Sequence, residues 1–125
     1  TEIRRLANRE FSAVLQELEL PYSMVNRMKC VYLTGHAPEW WEKRLGKDWK
    51  DRCSPEHQRL QHDAARVAAV ALQQATLLPV GTKGRKSAAF ELMREAIATV
   101  RTYALALGLP LEPDAAVRLL AEATG

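Results

Sequence analysis

Cys30, His36, Cys53 and His57 carry between them the donor atoms of a Cys2His2 metal site. Thiolate sulfur and imidazole nitrogen are the ligands that tetrahedral zinc prefers. Their spacing matches no standard finger. The segment between Cys30 and His36 contains Gly35 and can fold back, but Cys53 and His57 share a helix face only if that helix begins before Pro55. The expectation is a buried thiol and ordinary histidines, with no metal and no cofactor. Arg52 and His57 form a second chemical pair, since a guanidinium can steady a phosphate while an imidazole moves a proton. Elsewhere the prospects for catalysis are poor. His62 and Asp63 are neighbours that diverge on a helix, and Glu91 and Glu95 lie one turn apart without a histidine beside them. Such acid pairs are ordinary solvated surface.

Lys83, Arg85 and Lys86 place three cations in the four residues KGRK, flanked by Gly81 and including Gly84. A basic tip of this kind contacts phosphates without reading bases. The surrounding GTKGRKS lacks the GxxxxGK(S/T) spacing of a nucleotide-binding loop and follows no strand pattern, so nucleotide hydrolysis is not expected. Trp40, Trp41 and Trp49 lie within ten residues of one another. Adjacent helical residues point about 100° apart, so Trp40 and Trp41 cannot serve one purpose. One plugs the core, and the group as a whole is a candidate partner-binding surface.

Residues 14–28, VLQELELPYSMVNRM, resemble the helix-turn-helix of DNA-binding proteins. Leu18 ends a first helix, Leu20 follows the turn, Ser23 caps a second helix, and Val25 and Met28 face inward. The resemblance implies that Tyr22, Ser23, Asn26 and Arg27 face outward, where they can meet phosphates or base edges. Two positions depart from the pattern. Glu19 stands where the family holds glycine, and a β-carbon there is strained if the backbone is left-handed. Leu15 stands where a small residue would let the helices cross closely. The Arg52…His57 spacing also resembles the Arg–His motif of HEPN-type ribonucleases, which are helical bundles that cut RNA. Pro55 separates the two residues, and no second half of that family's pattern is present.

The elements that must position these groups are helical. Ile3, Leu6, Phe11, Val14, Leu15 and Leu18 recur at helical spacing over 2–18. Pro21 breaks the pattern, and a second helix runs from Ser23 to about Leu33, stopped by Gly35. Pro38 opens a short helix that Gly46 ends. Ser54-Pro55-Glu56 is a start signal, with a capping hydroxyl, a first-turn proline and an acid near the positive helix end. The helix it opens extends to about 78, with Leu60, Ala64, Val67, Ala71 and Leu78 on its inner stripe and Val70 and Leu72 broadening it. Ser87 caps a helix over 88–107 that buries Phe90, Met93, Ile97, Val100, Ala104 and Leu107, and Gly108 stops it. A short helix follows over about 113–123. The VYL at 31–33 is too short to support a sheet.

Composition narrows the class. Hydrophobic residues are 47% of the 125 and charged residues 26%, which argues against disorder and for one globular domain over 1–125. No apolar run approaches the length of a membrane span. Two well-separated cysteines point to reduced thiols in the cytoplasm. The chain opens on Thr1, and the expectation is that an initiator or upstream segment has been removed or lies outside this sequence. The net charge of +3 is compatible with a polyanionic partner without requiring one.

The reading is an all-α bundle of two long helices, about 55–78 and 88–107, with an N-terminal helix pair and short flanking helices. The leading function is a non-enzymatic nucleic-acid-binding regulator or accessory protein using Tyr22, Ser23, Asn26, Arg27, Lys83, Arg85 and Lys86. The alternative is a helical interaction subunit or adaptor, with a homo-oligomer or another helical protein as partner. The remote alternative is an Arg52/His57 ribonuclease.

Overall fold

The computed structural model describes residues 12–79 and 84–113, and every regular element among them is an α-helix. Residues 12–18 form α1, which buries Leu15 and Leu18. The helix closes in a reciprocal pair of backbone bonds, Leu20 N–H to the Leu15 carbonyl at 2.9 Å and Glu19 N–H to the Gln16 carbonyl at 3.1 Å. Glu19 carries the left-handed backbone that this Schellman closure requires, with φ +56°. Leu20 then packs beside Leu15 in the core. Of the expected helix over 2–18, Ile3, Leu6 and Phe11 lie outside the described residues.

The next helix, α2, spans Tyr22–Thr34 and begins ahead of Ser23, which therefore does not cap it. Pro21 occupies the cap position, and its carbonyl accepts the first helical bond from Val25 N–H at 3.2 Å. Proline's fixed φ prepares the helical entry, so no capping hydroxyl is needed. Gly35 ends α2. Pro38–Leu45 form α3 and Trp49–Arg52 form the four-residue α4.

Pro55–Ala75 form α5, opened by the Ser54 hydroxyl, which accepts from His57 N–H at 3.3 Å. This helix stops three residues short of the expected 78. Arg85–Leu107 form α6, which begins two residues ahead of the expected Ser87 cap, after Gly84. One side chain accounts for both shifts. The Arg85 guanidinium donates to the carbonyl of Thr76 at 3.1 Å and to that of Ala75 at 3.5 Å, satisfying acceptors that the end of α5 leaves open.

Helices α5 and α6 run antiparallel, joining near Ala75 and Arg85 and lying side by side again at Val67 and Val100. Ala64, Ala68, Ala71 and Ala75 recur at intervals of three and four on α5, facing Ala89, Met93, Ile97 and Ala104 of α6. These small side chains let the two backbones approach closely. The larger Leu60, Leu72, Met93 and Ile97 are almost wholly buried, each worth roughly 1.5–3 kcal/mol of transfer free energy. Helices α1 and α2 cover the remaining side of this core through Leu15, Leu18, Leu20, Val25 and Leu33. Leu107, expected inside, is instead exposed at the last turn of α6.

A second cluster joins Cys30 of α2 to Trp41, Trp49 and Cys53. Beyond Gly108 the chain returns across the bundle, and Pro113 is fully buried. The expected helix over 113–123 lies, past Pro113, outside the described residues.

Candidate functional site

The turn at 19–21 and the start of α6 sit at one end of the bundle, because Arg85 pairs with Glu17 of α1 at 3.4 Å. Tyr22 and Ser23 are exposed at the first turn of α2. One turn further, Asn26 is half-buried in a recess between α2, α4 and α5. Arg27 is exposed and bonded to Glu39 of α3 at 2.8 Å. On the following turn Cys30 is buried in the tryptophan cluster. The outward face of α2 is thus open at Tyr22, Ser23 and Arg27, while α3 and α4 close the side that holds Asn26 and Cys30.

The expected basic tip is divided. Lys83 lies outside the described residues, and Lys86 is exposed. Arg85 is not a solvated loop charge: its side chain is 11% exposed and held by Ala75, Thr76 and Glu17.

The tryptophans also separate. Trp41 is 2% and Trp49 1% exposed, so neither offers surface to a partner, contrary to the sequence expectation. Trp41 Nε1 donates to the Thr34 hydroxyl at 2.7 Å, and that hydroxyl donates onward to the Cys30 carbonyl at 2.8 Å. Trp40 remains at the surface. His36 stacks on it with centroids 3.6 Å apart, and the Arg44 guanidinium lies over its ring at 4.6 Å.

The candidate catalytic and metal residues do not assemble. Arg52 donates to the Leu45 carbonyl at 2.6 Å on the surface. His57 is fully buried, and both ring nitrogens are engaged, with the Leu111 carbonyl at 3.0 Å and Gln61 Nε2 at 2.8 Å. Since a carbonyl only accepts, Nε2 carries the proton and Nδ1 accepts from Gln61. Burial lowers the pKa of this imidazole, and the Leu111 bond opposes that only in part. An imidazole with no free nitrogen has no proton to offer a substrate. Burial likewise pushes the Cys53 thiol up to about 11 and raises that of Cys30, so both are inert free thiols. Among the described residues no three of His, Cys, Asp and Glu converge on a metal position. Glu91 is taken by Arg94, whose hydrogen bond holds the carboxyl below its ordinary range.

Two concave features were not anticipated. An open groove of about 610 Å³ runs between α5 and α6, lined by Asp63, Arg66, Val67, Val70, Val100 and Tyr103 among others. Val70 and Tyr103 are 54% and 57% exposed, high values for side chains of this kind on adjoining helices. Val70, expected to broaden the inner stripe of α5, instead stands at the edge of the groove, whereas Tyr103 lies off the expected inner stripe of α6. The second feature is the recess at Asn26, whose volume is about 120 Å³ and whose wall includes Lys29, Lys50 and Gln61.

No protein-family model, curated protein or solved structure matches this chain. No helix among the described residues is long and apolar enough to cross a membrane.

Proposed function

We propose that the protein is a non-enzymatic helical association module whose binding face is the α5–α6 groove and whose partner is a second copy of the chain. The carrying observation is the apolar surface left open there. Val67 and Val100 form the floor, and Val70 and Tyr103 stand more than half exposed beside them. Contiguous apolar surface of this kind marks an interaction site when polar residues rim it. Asp63 and Arg66 supply that rim, and neither makes an ion pair among the described residues.

The rim also selects the partner. A two-fold interface sets one patch against itself, so residue i meets j and j meets i. A patch carrying one acid and one base is complementary to its own copy, with each Asp63 facing the other protomer's Arg66. Light scattering over a rising protein concentration is expected to give twice the 14.0 kDa chain mass. Tyr103→Glu should leave a folded monomer. Asp63→Arg and Arg66→Asp should each dissociate the dimer, and mixing these two variants should restore it. A wild-type monomer at high concentration would remove the proposal.

A second reading, duplex contact through the first turn of α2, is favoured by one observation. Glu19 adopts the left-handed backbone on which the helix-turn-helix resemblance depends. Tyr22, Ser23, Arg27 and Lys86 would supply the contacts. That reading requires duplex binding that weakens steeply with salt and weakens again in Arg27→Ala.

A further inference from the structure

The recess between α2, α4 and α5 has the chemistry of an anion site, and this rests on different residues from the association face. The geometry points to Lys29, Lys50 and Asn26 as the donors of a pocket for a compact dianion, a phosphate group, entering at the mouth of the tryptophan cluster.

Three observations carry it. First, the wall contains two cations and no carboxylate: Asn26, Lys29, Cys30, Leu33, Thr34, Trp49, Lys50, Gln61 and Ala64 line it. Second, its donors are unspent. Lys29 and Lys50 make no ion pair among the described residues, and the Asn26 amide makes no hydrogen bond there. The nearby acid Glu39 is committed to Arg27. Third, the two cations are brought together by packing. Lys29 is half-buried on α2, and Lys50, exposed on α4, lies over the Trp49 ring with its ammonium 5.6 Å from the centroid.

The arrangement is costly when empty. Burial, and then the charge of Lys50, lower the pKa of Lys29. A dianion relieves both effects, because it returns hydrogen-bond acceptors to a desolvated ammonium and neutralises the repulsion between the pair. A single carboxylate would leave one cation uncompensated. The volume of about 120 Å³ admits a tetrahedral oxyanion with little beyond it. Gln61 closes the inner wall, and its Nε2 already donates to His57. The remaining donors converge from two elements, Asn26 and Lys29 on α2 and Lys50 on α4, which is how a site distinguishes an oxyanion from a diffuse counterion cloud.

The test is calorimetric titration of the full chain with sodium phosphate against sodium chloride at matched ionic strength. Saturable one-to-one phosphate binding is expected, weakened at least about tenfold in Lys29→Met or Lys50→Met and several-fold in Asn26→Ala. Sulfate, which stays a dianion across the range in which phosphate becomes a monoanion, should bind with an affinity that stays level as the pH is lowered over that range. Phosphate should weaken as it becomes a monoanion. Glycerol phosphate decides the source: binding equal to inorganic phosphate means that the group is read on a larger molecule, whereas rejection means that the free ion is the ligand. Backbone amide shifts of Asn26, Lys29 and Lys50 in the unmutated protein keep the proposal testable if a variant misfolds. Phosphate and chloride giving the same heats and the same amide shifts would overturn it.

Discussion

The imidazole Nε2 of His57 donates to the carbonyl oxygen of Leu111 at 3.0 Å, tying the first turn of α5 to the segment that leaves α6. Burial of the neutral ring, which this bond offsets only in part, makes stability depend on pH. The folded pKa lies below the ordinary 6.5. Above that value both states hold neutral imidazole, and His57 contributes no slope. As the pH falls below it, the unfolded chain takes up a proton that the folded chain refuses, so stability declines until the folded pKa is reached. The slope from this one residue is at most about 1.4 kcal/mol per pH unit. Urea unfolding at neutral and mildly acidic pH should show the decline. His57→Gln should flatten it while lowering stability at neutral pH.

Trp41 and Thr34 form a second coupled pair. The indole N–H donates to the Thr34 hydroxyl inside the tryptophan cluster. Thr34→Val leaves that donor buried without an acceptor, which costs about 1–3 kcal/mol. Trp41→Phe removes the donor together with part of the packing. The double variant should be less destabilised than the sum of the singles, by roughly 0.5–3 kcal/mol in a denaturant double-mutant cycle. Strict additivity would mean that the bond contributes nothing.

What the sequence discloses follows from the range of the interactions. Gly35, Pro38, Gly46, Ser54 and Gly108 act on their own few residues of backbone, and helices start or stop at each as expected. The end of α5 and the start of α6 depart from the expected 78 and Ser87 because a side chain ten residues away in sequence, Arg85, caps the Ala75 carbonyl. Helical spacing separates Trp40 from Trp41 but cannot say which faces inward. That choice is made by Thr34, on another helix. Asn26 was legible as a polar residue on α2. Its neighbourhood with Lys50 was not, because only the folding of α4 onto α2 and α5 creates it.

Arg85 provides a direct test of structural against solvated roles. A lysine or arginine in free solvent can be removed at little cost, within about 0.5 kcal/mol. Here the guanidinium satisfies carbonyls at the negative end of α5 and pairs with Glu17. Arg85→Ala should therefore destabilise the fold by about 1–2 kcal/mol, with amide exchange accelerating first at the last turn of α5. Lys86→Ala, on the exposed side, should leave the unfolding midpoint unchanged. Equal and negligible effects from both would show that the cap is not formed in solution.

Glu19 is the one non-glycine residue with positive φ among the described residues. A left-handed backbone costs a side-chain-bearing residue roughly 1–2 kcal/mol, and glycine avoids that cost while losing about 0.5–1 kcal/mol through its freer unfolded chain. Glu19→Gly should therefore stabilise the protein by ~0.5 kcal/mol or somewhat more. Glu19→Ala keeps the β-carbon and should bring no gain. Since Leu20 and Leu15 are bonded through the same turn, the gain should appear as slower amide exchange at Leu20. If Glu19→Gly instead lowers the unfolding midpoint, the turn between α1 and α2 has a different conformation in solution, and the geometric support for duplex contact disappears with it.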